Sequence, residues 1–172
     1  ETGPHDLSLI LALTGSEPTK FSCAGASHVT PGIVDTLATT LGFAGGISAT
    51  MQTSWMSPYK EHRFTVSGTA GSLVFDDTKP WPEKLVLFQD HIRPDNESFI
   101  IERASPVALP VAEAEPLKDE MRAFVDICLT GKPVPSNIDE ALAVQRTLEA
   151  MQAALLDMGK TATPHPPTGP AE

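Results

Sequence analysis

The chain has 172 residues, 41% of them hydrophobic, which is enough to enclose a core. Twelve Lys and Arg against 22 Asp and Glu leave a formal charge of −10, which argues against sequence-independent binding to nucleic acid or to acidic membranes. No apolar run approaches the roughly 18 residues of a membrane span and no secretory leader is expected, while Cys23 and Cys128 lack a Cys-x-x-Cys partner, so two buried thiols in a reducing cytoplasm are expected.

The opening stretch, ETGPHDLSLILALTG, reads as a helix. Pro4 suits a first helical position, Leu7, Leu9, Ile10, Leu11 and Leu13 supply apolar surface, and Gly15 is the stop signal. Strand-like segments follow at 19–29 and 33–43, split by the turn signal Thr30-Pro31-Gly32. Gly45-Gly46 predicts a hairpin turn before the clearest strand of the chain. There Ile47, Ala49, Met51, Thr53 and Trp55 face one way, and Ser48, Thr50, Gln52 and Ser54 face the other. Trp55 continues the apolar side and is expected to pack there. Further strands are predicted in HRFTVSG, GSLVFDD, KLVLFQD and ESFIIERA, with VALPVA placed by Pro110 on an edge or outside the sheet.

From residue 116 the hydrophobic period becomes helical. Leu117, Met121, Phe124, Val125, Cys128 and Leu129 recur on one face between Pro116 and Gly131. A second helix is predicted from the Asn137 cap, with Glu140 three residues on, through Ile138, Leu142, Leu148, Met151 and Leu155 to a stop at Gly159. Residues 160–172 hold four prolines and little apolar bulk and read as a disordered tail, leaving 1–159 as the folded domain. Helix, hairpin-linked strands, then two helices predict an α+β fold: an open, largely antiparallel β-sheet with helices packed on one face.

Four segments carry a resemblance. GPHDLSLILALTG, GGISATMQTSW, RFTVSGTAGSLVFDD and PLKDEMRAFVDICLTGKPVPSNIDEAL, in this order, resemble the C-terminal domain of the Gfo/Idh/MocA oxidoreductases, the glucose–fructose oxidoreductase and inositol dehydrogenase relatives. The similarity runs to about residue 159. It implies the substrate-binding and catalytic half of an NAD- or NADP-dependent enzyme acting on a sugar, sugar nucleotide or polyol. The dinucleotide would be bound by a Rossmann domain that these residues do not include, and the open sheet face would build a homodimer or homotetramer.

The family's motif in this half is Asp, three residues, then His at the start of the first helix. Glu1 falls on the Asp position and His5 on the His position. The resemblance implies that His5 accepts the proton of a sugar hydroxyl while hydride leaves the same carbon. An imidazole suits this because it changes charge around neutral pH. Glu1, one turn earlier, would orient the ring. Asp6 is implied as a substrate contact, and Ser8 stands where many relatives carry a second Asp. No Gly-x-Gly-x-x-Gly lies between a strand and a helix, and the family's Glu-Lys-Pro motif is missing. The absent initiator Met therefore points to a piece of a longer enzyme. The second reading is a dimerisation or binding module that kept the sheet and lost the chemistry.

Other candidates read as structural. Asp76-Asp77 is expected as a solvated turn, His62 as a surface residue and His28 as an unremarkable strand end. His91 and His165 have no partners at metal spacing, and no metal is expected.

Overall fold

The computed structural model describes residues 3–59, 61–96, 98–132 and 137–161, the last five by backbone alone. In chain order the elements are α1 (Gly3–Thr14), β1 (Lys20–Ala26), β2 (Thr36–Gly42), β3 (Ser48–Ser54), β4 (Arg63–Gly68), β5 (Gly71–Asp76), β6 (Leu85–Phe88), β7 (His91–Asp95), β8 (Ser98–Glu102), β9 (Val107–Leu109), α2 (Pro116–Thr130) and α3 (Ile138–Thr161). The fold is α+β, and every strand pairing is antiparallel. The chain divides into two units, Glu1–Ser57 with Lys132–Glu172, and Pro58–Gly131.

In the first unit β1, β2 and β3 form a meander in sequence order. Side chains alternate across a strand, so one face gathers Cys23, Thr39 and Met51, aligned across the three strands, with Leu41 beside them. These are buried beneath Leu7 and Ile10 of α1 and Met151 and Thr147 of α3. Leu7 and Leu41 are fully buried, each contributing roughly 1.5–3 kcal/mol by leaving water. The opposite face carries Ser22, Ala24, Ala38, Thr40, Thr50 and Gln52, all exposed. Thr39 Oγ1 donates to Cys23 Sγ at 3.6 Å, so the one hydroxyl in the middle of the sheet core is partnered.

The turn chemistry matches the sequence. Between β2 and β3 a 3-10 turn at Ala44–Gly46 uses left-handed Gly45 and Gly46, with φ of 74° and 81°. Pro31 and Gly32 build the expected turn, closed by Ile33 N–H donating to the Thr30 carbonyl at 3.1 Å. Asn137 caps α3, its side-chain oxygen accepting from the Asp139 and Glu140 N–H groups at 2.8 and 3.1 Å. Gly159 does not stop that helix: α3 runs on to Thr161, because a single Gly inside a long helix costs only about 1 kcal/mol. The tail expected over 160–172 lies outside the described residues from 162 onward.

In the second unit β4-β5-β6-β9 form a sheet with β9 on its edge, one of the two placements Pro110 allows. β7 and β8 pair separately as a hairpin in which Pro94 faces Phe99. α2 spans Pro116–Thr130 and ends on left-handed Gly131, whose N–H donates to the Ile127 carbonyl. Its apolar stripe, Leu117, Met121, Phe124, Val125 and Leu129, is exposed, and so is Cys128, against the expectation of a buried thiol. Cys23 is buried as expected.

Candidate active site

Helix α1 presents its first turn to solvent because its second turn is anchored. Leu7 and Ile10 are buried three residues apart, which fixes the helix's rotation. His5 is consequently exposed, Asp6 half-buried and Ser8 exposed. Ser8 Oγ donates to the His5 carbonyl at 2.7 Å, tying Ser8 to the backbone of the residue that carries the imidazole. Glu1 lies outside the described residues, so no geometry links it to His5.

Along the same helix a groove of about 520 Å³ opens between α1 and the start of α3, lined among others by Ser8, Ala12, Asn137 and Glu140. Glu17 and Arg146 stand on its rim, with Arg146 donating to both carboxylate oxygens. The guanidinium holds Glu17 below the usual carboxylate range. His5 does not line this groove; it stands one turn before Ser8.

Sequence reasoning missed the most tightly bonded carboxylate of this unit. Asp35, between β1 and β2, has a side chain only 2% exposed. Its Oδ2 accepts from the His28 and Val29 N–H groups, the latter at 2.8 Å, and its Oδ1 lies 2.8 Å from His28 Nδ1. The imidazole first, then the backbone amides, hold Asp35 at about 2, well under the ordinary 3.8. His28 is therefore a partner of a buried carboxylate and not a plain strand end. Trp55 departs from expectation too: it is 68% exposed, one residue past the end of β3 at Ser54.

In the second unit Asp76 is buried, not a solvated turn. It accepts from Thr78 Oγ1 at 2.6 Å, from the Thr78 N–H at 3.0 Å and from Arg63 Nη2 at 3.1 Å. Asp77 accepts from Lys84, whose ammonium also lies 4.6 Å from the Trp81 ring centroid. His62 is partly exposed, with Nδ1 3.8 Å from Asp77 Oδ2. His91 stands exposed in β7, and His165 lies outside the described residues.

Residues 1–74 match the family described as the GFO/IDH/MocA C-terminal domain. Through this segment the chain is similar to the C-terminal domain of the Gfo/Idh/MocA oxidoreductases. The fold agrees with solved oxidoreductases. A putative oxidoreductase from Magnetospirillum magnetotacticum MS-1 is 30% identical, with a TM-score of 0.66 over 86% of this chain and 46% of that one. UDP-N-acetylglucosamine 3-dehydrogenase GnnA from Acidithiobacillus ferrooxidans is 21% identical, with a TM-score of 0.68 over 90% of this chain and 46% of its own. Aldose-aldose oxidoreductase from Caulobacter crescentus, complexed with glycerol, is 18% identical, with a TM-score of 0.68 over 91% and 44%. The chain thus spans about half the length of the solved structures it matches. No curated protein matches it in sequence.

Proposed function

We propose that this chain is a Gfo/Idh/MocA C-terminal domain, the substrate-binding and catalytic half of an oxidoreductase that acts on a hydroxyl of a sugar, sugar nucleotide or polyol. The observation that carries the reading is His5: an exposed imidazole in the first turn of α1, inside the matched segment, on a helix pinned by Leu7 and Ile10. An exposed, positioned imidazole can take the proton of a substrate hydroxyl. Asp6 beside it is half-buried, suited to fix a second hydroxyl, and Glu1 is assigned the orienting role one turn earlier. Two of the similar solved structures are named for sugar chemistry, which supports the substrate class.

NAD or NADP would serve as hydride acceptor. The described residues do not fit it: all their strand pairings are antiparallel, and their left-handed glycines sit in hairpins, loops or helix ends, not where a strand turns into a helix. The dinucleotide is accordingly assigned to protein outside them. A cytoplasmic setting belongs to the same reading, supported by two free cysteines and by the fact that no described helix is long and apolar enough to cross a membrane. The exposed outer face of β1–β3 supports pairing into a homodimer or homotetramer.

The test is His5→Ala in the full-length protein. Turnover should fall by about 100- to 10,000-fold, with a smaller change in substrate affinity. Near-full turnover in a correctly folded variant would overturn the catalytic reading.

A further inference from the structure

The β7–β8 hairpin leaves one of its two edges open. Among the described strands β7 and β8 pair only with each other, and a hairpin without a third strand is marginal in water. Its base is held by Asp90, which accepts from the Arg103 side chain and from the Ala104 N–H, the latter at 3.0 Å. Beyond that base Ile92, Phe99 and Ile101 are exposed, Phe99 at 72%. Opposed residues of an antiparallel pair alternate between those that bond each other and those whose N–H and C=O point outward. Pro94 has no N–H to exchange, so its pair with Phe99 is of the outward kind, and so is the Ile92–Ile101 pair two residues on. The two edges therefore differ. On β7 the proline removes an outward donor and Arg93 adds charge beside it, which guards that edge. On β8 the run Phe99-Ile100-Ile101 carries neither proline nor charge, and Phe99 and Ile101 turn both backbone groups to the open side.

We propose that β8 pairs antiparallel with β8 of a second copy of this chain, about a two-fold axis at Ile100. The alternation selects this occupant. With Ile100 opposite its own copy, Phe99 faces Ile101 of the partner subunit and Ile101 faces the partner's Phe99. Every outward N–H and C=O of these two residues then finds a partner, and their side chains become cross-strand neighbours. Charge agrees with the register. Glu102 falls opposite Ser98 and not opposite a second carboxylate, and Arg93 already donates to it at 3.0 Å. The joined sheet reads β7-β8-β8-β7 and ends on two proline-guarded edges, so pairing closes at two copies and does not grow into a polymer. This edge is distinct from the β1–β3 face. Together the two contacts make a tetramer, from which loss of the β1–β3 contact leaves a dimer.

The experiment is disulfide trapping in the whole chain, with Cys128→Ser as background to remove the exposed native thiol. Ile100→Cys should cross-link to its own copy on mild oxidation, because opposed positions of this kind lie about 4.5 Å apart between Cα atoms, within disulfide reach. Ser98→Cys, opposite Glu102 in the same register, should cross-link at least about tenfold more slowly. Sedimentation reads the contact without a thiol. Thr50→Arg, which takes the β1–β3 face out, should leave a dimer, and adding Ile101→Pro should weaken that dimer at least about tenfold. Position 101 faces outward, so this proline spares the β7 pairing as Pro94 does, and far-UV circular dichroism should be unchanged. If it is not, the trapping pair decides alone. Equal cross-linking of Ile100→Cys and Ser98→Cys, a monomer in Thr50→Arg, or an unchanged dimer constant in folded Ile101→Pro would overturn the proposal.

Discussion

Arg63 and Asp76 face each other across the β4–β5 hairpin, joined by Nη2 to Oδ2 at 3.1 Å. Thr78 supplies the stronger part of the arrangement: its hydroxyl and N–H, then Arg63, hold the Asp76 carboxyl at about 2 against an ordinary 3.8. A carboxyl lowered by folding contributes stability that is present above its unfolded value and is lost as pH falls through its folded value. Asp35 behaves alike, also at about 2. Stability should therefore hold from neutral pH to near 4 and decline from there toward 2. Thermal melts across this range check it, and Asp76→Asn should flatten part of the decline. A melt midpoint independent of pH below 4 would contradict the assignment.

Leu41 is fully buried at the centre of the β1–β3 meander, where Leu41 pairs with Phe21 and Ala49. Leu41→Ala should cost about 2–5 kcal/mol in urea unfolding, through lost transfer energy and the cavity left behind. Leu9→Ala, 46% exposed on α1, should cost far less.

Gly71 begins β5 with φ at 139°, and a Cβ there would lie only 2.4 Å from the Phe88 carbonyl oxygen. Backbone strain and the clash act in the same direction, so Gly71→Ala should destabilise by at least about 1 kcal/mol. Gly131→Ala meets an open space and suffers only the left-handed φ of 67°, so its cost should be the smaller of the two. Paired denaturation curves decide the order.

Light scattering of the full-length protein at tens of micromolar tests the assembly. A dimer or tetramer is expected, and Thr50→Arg on the exposed outer face of β3 should dissociate it. A purely monomeric full-length protein would remove the sheet face as an interface.

Much of this architecture could be read from the chain because local rules agree there. β3 alternates strictly, and the structure buries Met51 while exposing Thr50 and Gln52. Pro116, Gly131 and Asn137 punctuate α2 and α3 at the observed positions. β7 escaped because Pro94 and charged neighbours mask a strand that needs only one partner, β8. Trp55 was misjudged because alternation gives a side chain's direction but not whether anything covers it. The His28–Asp35 pair left no sequence signal: its partners are separated by a loop whose length no periodicity encodes. His5 was legible only through a motif spacing, and the structure adds the buried anchors that make it face outward.

The staple at the base of the 27–35 loop also separates the loop's tip from its sheet. Asp35 gathers the chain at His28 and Val29, so Thr30, Pro31 and Gly32 project beyond a closed neck and remain exposed. Changes in length beyond that neck add little closure entropy and move no strand. The tip is thus a natural graft point: an epitope or a fluorescent-label sequence inserted at Gly32 should ride on the domain without shifting the β1–β2 register.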